Sequence, residues 1–239
     1  AGDACEQFSV QSISKVFALT LALRLIGDDI WNCVKRRLTT KTFNAISPLE
    51  ESEGTPRNPF TNAGALTIVD HLLSFDRQYI SKLLELVQHL CGNKTVEYDF
   101  KVANSEKATG HRNFAIAYYL KSYGVVKNNV NDILEAYFIQ CSLSMSCLEL
   151  SRALLFLAKG GCNPFTGEQI LTPLQNRRMN ALLLMFGTYN AAGDFVFRVG
   201  LPGKSGVGGG LSVIIPGRMS IATWSPSLDE FGTSIAGLK

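Results

Sequence analysis

The sequence predicts an α+β protein in which an all-helical lobe packs beside an antiparallel sheet flanked by helices. Three observations carry that prediction. Apolar residues recur at helical spacing through roughly the first four fifths of the chain, and most of these runs stop at a glycine. After Gly187 the text changes to short β-rich runs separated by Gly and Pro. With 239 residues, 46% of them hydrophobic and 18% charged, the chain can bury a sizeable core as one domain.

The elements follow in order. "KVFALTLALRLIG" stops at Gly27, "YISKLLELVQHLCG" at Gly92, "NFAIAYYLKSYG" at Gly124 and "CLELSRALLFLAKGG" at Gly160 and Gly161. "AGALTIVDHLL" reads as a helix with Asn62 in the N-cap position, and "NDILEAYFIQCSLSM" as another. "TPLQNRRMNALLLMFG" has Thr172 as its N-cap and Pro173 at the first helical position. Beyond these, "DFVFRVG", "GLSVIIPG" and "MSIATWSP" are expected to be consecutive antiparallel strands. The helical lobe then spans roughly 28–187, and the sheet layer is drawn from roughly 1–27 and 188–239. Three strands make a thin sheet, so the first helix, and strands outside this sequence, are expected to complete the layer.

Charge and composition exclude several function classes. The 23 basic and 20 acidic residues leave a net charge of +3, and no basic run exceeds "KRR" at Lys35–Arg37, so neither a nucleic-acid nor an anionic-membrane surface is expected. The apolar stretch Val16–Ile26 is interrupted by Arg24 and falls short of the roughly 20 residues a membrane span needs. No signal peptide is read. The six cysteines, at 5, 33, 91, 141, 147 and 162, form no C-x-x-C pair, and His71, His89 and His111 have no ligand spacing. Reduced thiols, no metal and a cytoplasmic location are the expectation.

Chemistry is signalled first by "QSISK". Ser12 and Lys15 stand three apart where an apolar run begins, so on a helix they share a face with Cβ atoms roughly 5 to 6 Å apart. Either Ser12 caps the helix, or Lys15 is a desolvated amine able to activate the Ser12 hydroxyl as a nucleophile. The second signal is "LPGKSGVGGGLSVII". Lys204-Ser205-Gly206 opens a strand and a glycine run follows, as in the penicillin-recognising serine acyltransferases, which set such a strand opposite a Ser-x-x-Lys helix. The bland alternative is a flexible hairpin.

With those two stretches in hand the chain resembles the serine-dependent glutaminases, which hydrolyse L-glutamine to L-glutamate and ammonia on a β-lactamase/transpeptidase-like fold. The resemblance runs from Gly2 to Leu238 and is carried by "QSISK", "RNPFTNAGA", "NSEKATGHRNFAIAYYL", "YFIQCS", "LAKGGCNPFTGE", "FRVGLPGKSGVGGG" and "WSPSLDEFGTS". It implies a single catalytic domain over 1–239. It also implies that Ser12 is the nucleophile, Lys15 its activating base, and Tyr189 a proton-shuttling tyrosine. Val207 is implied as the residue whose backbone N–H joins that of Ser12 in an oxyanion hole, and Asn62, Glu106, Asn113 and Tyr137 as substrate-binding residues beside Tyr189 and Val207. These residue types suit an amino acid, because a carboxylate (Glu106) answers an α-ammonium and neutral donors answer an α-carboxylate. Taken alone, Asn62 also reads as a helix cap, Tyr137 as a core aromatic and His111 as a surface residue.

The resemblance further implies no cofactor, L-glutamine as the partner, and a homodimer or homotetramer. The family carries a segment ahead of the nucleophile, with a substrate-binding tyrosine and further strands, that is expected to be missing here. Cys5 and "KRRLTTKTFN" depart from the family pattern. Lys15 is expected to titrate low, because apolar neighbours and a second cation at Lys204 disfavour its charge.

Overall fold

The computed structural model describes residues 2–39 and 41–239; Ala1 and Thr40 lie outside the described residues. A short strand β1 (Phe8–Ser9) leads through a 3-10 turn at Gln11–Ile13 into α1 (Ser14–Leu25), followed by α2 (Ile30–Cys33), α3 (Ser47–Glu50), α4 (Asn62–Phe75) and α5 (Tyr79–Cys91). Then come β2 (Glu97–Tyr98), α6 (Phe100–Thr109), α7 (His111–Ser122), α8 (Val130–Cys141), β3 (Leu143–Met145), α9 (Cys147–Ala158) and α10 (Pro173–Phe186). The chain continues through α11 (Ala192–Val199), β4 (Gly203–Ser205), β5 (Gly210–Ile215) and β6 (Met219–Trp224).

Side-chain caps fix several helix starts. Thr61 Oγ1 accepts from the Gly64 N–H at 3.2 Å, so Thr61 caps α4 and Asn62 is its first helical residue, one place inside the expected cap. Ser146 with Glu149 starts α9 and Thr172 with Gln175 starts α10, each as a reciprocal capping box, and Pro173 sits where its missing N–H costs nothing.

The strands form two antiparallel sheets, ordered β1-β3-β2 and β4-β5-β6. The register of the larger sheet pairs Lys204 with Ser212 and Gly210 with Trp224. The smaller sheet consists of two- and three-residue strands, and β3 is cut from the end of what the sequence reads as one helix, "NDILEAYFIQCSLSM". Helix α1 is buried continuously from Ser14 to Leu23. A helix apolar all round must be covered on every side, and α1 packs on α4 and α5 inside the helical lobe. The helix laid along β5 and β6 is α9, not the first helix as the sequence suggests; the 3-10 turn ahead of α1 packs on β4 and β5. A second difference concerns "DFVFRVG", which is helix α11 and not a strand. Its alternation does not describe two faces of a sheet, since Phe195 is buried while Phe197 is 90% exposed. Gly200 closes it at φ 66° with its N–H on Val196 O at 2.9 Å. Among the described residues no helix is long and apolar enough to cross a membrane.

Candidate active site

Ser12 sits in the 3-10 turn between β1 and α1, after Gln11, which takes φ 49°. A non-glycine residue in that region is strained and persists only where its surroundings over-determine it. Here the surroundings are the β3 segment, whose Leu143 O accepts the Val10 N–H at 2.9 Å, and the turn between β4 and β5. The second contact explains the glycine run. A Cβ at Gly206 would lie 2.6 Å from Val10 O and one at Gly208 2.2 Å from Ser9 O, so "GVGGG" is a close-packed wall against residues 9–12 and not a flexible hairpin. That packing brings Val207 beside Ser12. The Ser12 and Val207 N–H groups donate to no acceptor among the described residues, leaving two backbone donors at one spot.

Lys15 lies beneath Ser12, fully buried. Its Nζ donates to Asn62 Oδ1 at 2.7 Å and Phe60 O at 3.0 Å, and contacts Tyr189 Oη at 3.4 Å. None of these three bonds goes to Ser12, although the three-residue spacing suggests direct contact. Burial pushes the amine down from 10.5 to about 7, with Cys141 opposing the fall. Lys204, also buried, donates to Ser205 O at 2.6 Å and stands 4.0 Å from the Tyr189 ring centroid. Burial first, and then Lys15, hold it well below its ordinary value. Repulsion between two buried cations is mutual, so each of the two amines disfavours the charge on the other.

Tyr189 is the second strained residue of the site, with φ 54°. Its ring is held between Lys204 and Phe43, whose centroid is 4.8 Å away. Burial drives the phenol well above its usual range, and hydrogen bonding with Ser12 opposes the rise. The phenol thus stands between the serine and the lysine and stays protonated at neutral pH.

A cavity of about 200 Å³ opens over Ser12 and is lined by Ser12, Asn62, Glu106, Asn113, Tyr137 and Val207. Six of the eight residues singled out in the sequence converge there, and Lys15 and Tyr189 lie behind them. Asn62 is the hub: Oδ1 accepts from Lys15 and, at 3.4 Å, from Tyr137 Oη, while Nδ2 donates to Asn113 Oδ1 at 2.8 Å. Tyr137 is a buried aromatic with a polar tip in the cavity, so both readings of it hold. Glu106, half-buried on α6, accepts from Gln11 Nε2 at 3.3 Å. His111 is exposed at the start of α7 and does not line the cavity. Several contributors carry no assignment from the sequence, Arg112 and Asn44 in the cavity lining among them. Gln11 could have been suspected as the neighbour of Ser12 and Cys141 from "YFIQCS", but the Phe60 carbonyl and the Phe43 ring have no side-chain signature that marks them.

A family model described as Glutaminase matches residues 1–239. The chain belongs to the glutaminase family. A glutaminase converts glutamine to glutamate and ammonia, so this chain is a hydrolase acting on the side-chain amide C–N bond. A glutaminase of Agrobacterium fabrum is 50% identical over 239 residues, covering 99% of this chain and 77% of that protein. A glutaminase of Rhizobium meliloti is 48% identical over 238 residues, covering 99% and 76%. Among solved structures, a probable glutaminase of Bacillus subtilis superposes with a TM-score of 0.95 at 34% identity, over 100% of this chain and 80% of its own. Mglu in its glutamate form gives 0.89 at 33% identity, over 100% and 55%. The glutaminase architecture is the β-lactamase-like α+β fold.

Proposed function

We propose that this glutaminase works by acyl transfer through Ser12. The Ser12 proton passes by way of Tyr189 Oη to the neutral amine of Lys15, and Oγ attacks the side-chain amide carbon of L-glutamine. The carbonyl oxygen becomes an oxyanion received by the Ser12 and Val207 N–H groups, each such donor being worth roughly 10²- to 10³-fold in rate. The C–N bond breaks as the proton held on Lys15 returns through Tyr189 to the leaving nitrogen. Water then attacks the glutamyl ester, gives its proton to the same relay and frees Ser12. Glu106 takes the α-ammonium of the substrate, and Asn62, Asn113 and Tyr137 take the α-carboxylate.

The observation that carries this reading is the buried Lys15, with an amine titrating near neutrality and Tyr189 Oη 3.4 Å away. The high-lying Tyr189 phenol supports a relay over a resident phenolate base. A relative crystallised in its glutamate form supports a pocket matched to that product. The proposal extends to a homodimer or homotetramer, supported by the exposed Phe197 on α11, and to the cytoplasm, supported by six free cysteines. Ammonia release from L-glutamine tests the nucleophile. Ser12→Ala removes the reacting oxygen but little packing, so turnover should fall by about 10⁴-fold or more while the melting temperature stays near that of the parent. Ammonia release within a few-fold of the parent would refute the role given to Ser12.

A further inference from the structure

Away from the cavity, Cys33 at the end of α2 meets His71 on α4, with Sγ 2.9 Å from Nε2. The other ring nitrogen, Nδ1, is 2.8 Å from Thr67 O. A carbonyl only accepts, so Nδ1 carries the hydrogen, Nε2 is bare, and the Cys33 S–H donates to it. The imidazole is thereby oriented as a base toward a thiol, the arrangement that makes a cysteine nucleophilic. Both residues are half-buried, open to a small reagent yet held in place. No other thiol among the described residues is hydrogen-bonded to an imidazole: Cys91 donates to Gln88 O and Asn93 O, and Cys162 to Asn163 O.

We propose that Cys33, with His71 as its base, is a thiol-oxidation site that takes hydroperoxides. Sγ attacks the distal peroxide oxygen, the S–O bond forms as the O–O bond breaks, and the sulfur is oxidised by two electrons to a sulfenic acid. The thiol proton passes to Nε2 and from there to the departing alkoxide or hydroxide, which leaves as alcohol or water. Burial, with Asp70 and Asp29 on the same side and Lys35 opposing, raises the thiol, so the pair rests as thiol and imidazole. His71 therefore acts during the attack, where a positioned base contributes roughly 10²- to 10⁴-fold. An added oxygen has no room in the 2.9 Å gap, so oxidation must break the direct contact between Cys33 and His71.

The test exposes the whole chain to hydrogen peroxide with dimedone as the sulfenic-acid trap and follows each cysteine peptide by mass spectrometry. In the parent, Cys33 should be trapped at least about tenfold faster than the exposed Cys5, and in His71→Asn the Cys33 rate should fall at least about tenfold while that of Cys5 is unchanged. Equal trapping of Cys5 and Cys33 in the parent would overturn the proposal, a comparison that does not depend on any variant folding. A Cys33 rate unaltered in a folded His71→Asn protein would overturn it equally.

Discussion

The role proposed for Lys15 as a base rests on its removal from water. A fully solvated lysine near 10.5 is almost wholly protonated at pH 7, whereas the buried amine at about 7 is half free. A base works when unprotonated, so kcat/KM for glutamine should rise with pH through about 7 and level off above it. Lys15→Arg keeps the charge and cannot lose its proton, so it should be inactive across the whole profile, and substantial retained activity would reduce Lys15 to a fixed charge. At this scale the sequence offers candidates by residue type and spacing. Ser12 and Lys15 stood out by spacing and chemistry, and the remaining six residues followed from resemblance to a family, not from their own surroundings. What the residues alone could not supply was their wiring. Asn62 looked like a helix cap because cap and active-site asparagines have the same local sequence, and only the fold sets its Oδ1 at 2.7 Å from Lys15. The burial of Lys204 was not legible, because depth cannot be read from a lysine's neighbours in sequence.

The turn between β4 and β5 and the turn before α1 act as one unit, each needing the other's shape. Gly206→Ala would drive a Cβ to 2.6 Å from the Val10 carbonyl, a backbone atom that cannot move without displacing Ser12. The variant should lose kcat by at least about tenfold with a smaller change in KM, because a misplacement near 1 Å of an oxyanion donor weakens the transition state more than the ground state. Steady-state kinetics of Gly206→Ala check this, and a change confined to KM would contradict it. Most helices were legible because their stops and caps are local chemistry, as Thr172-Pro173 illustrates. Helix α11 was misread because "DFVFRVG" is aromatic and β-branched with apparent alternation, and its decisive signal was Gly200 acting as a left-handed helix stop. The strands of the smaller sheet were unreadable, since two or three residues carry no periodicity.

Across the whole molecule, the site is sustained at a cost in stability. Between about pH 7 and 10.5 the unfolded chain holds a proton on Lys15 that the folded chain has lost. Stability therefore rises with pH through that window by about 1.4 kcal/mol per unit, and the penalty of burying the amine is fully present below it. Lys204 acts in the same direction. Lys15→Met should be inactive yet more stable than the parent at pH 7, with the stability difference falling by about 3 kcal/mol on going to pH 9.5. Chemical denaturation of both proteins at the two pH values measures it, and a difference independent of pH would contradict the neutral buried amine. The division into a helical lobe and a sheet was legible at this scale from the change of pattern after Gly187. The seam between them was not, because α9 and α1 have similar apolar runs and only packing selects α9 to lie on β5 and β6. The covalent glutamyl intermediate proposed on Ser12 is tested by partitioning. With hydroxylamine competing against water, L-glutamine and a γ-glutamyl ester should give the same ratio of glutamyl hydroxamate to glutamate, because both pass through one acyl-enzyme that has forgotten its leaving group. A ratio that differs between the two substrates would contradict the account.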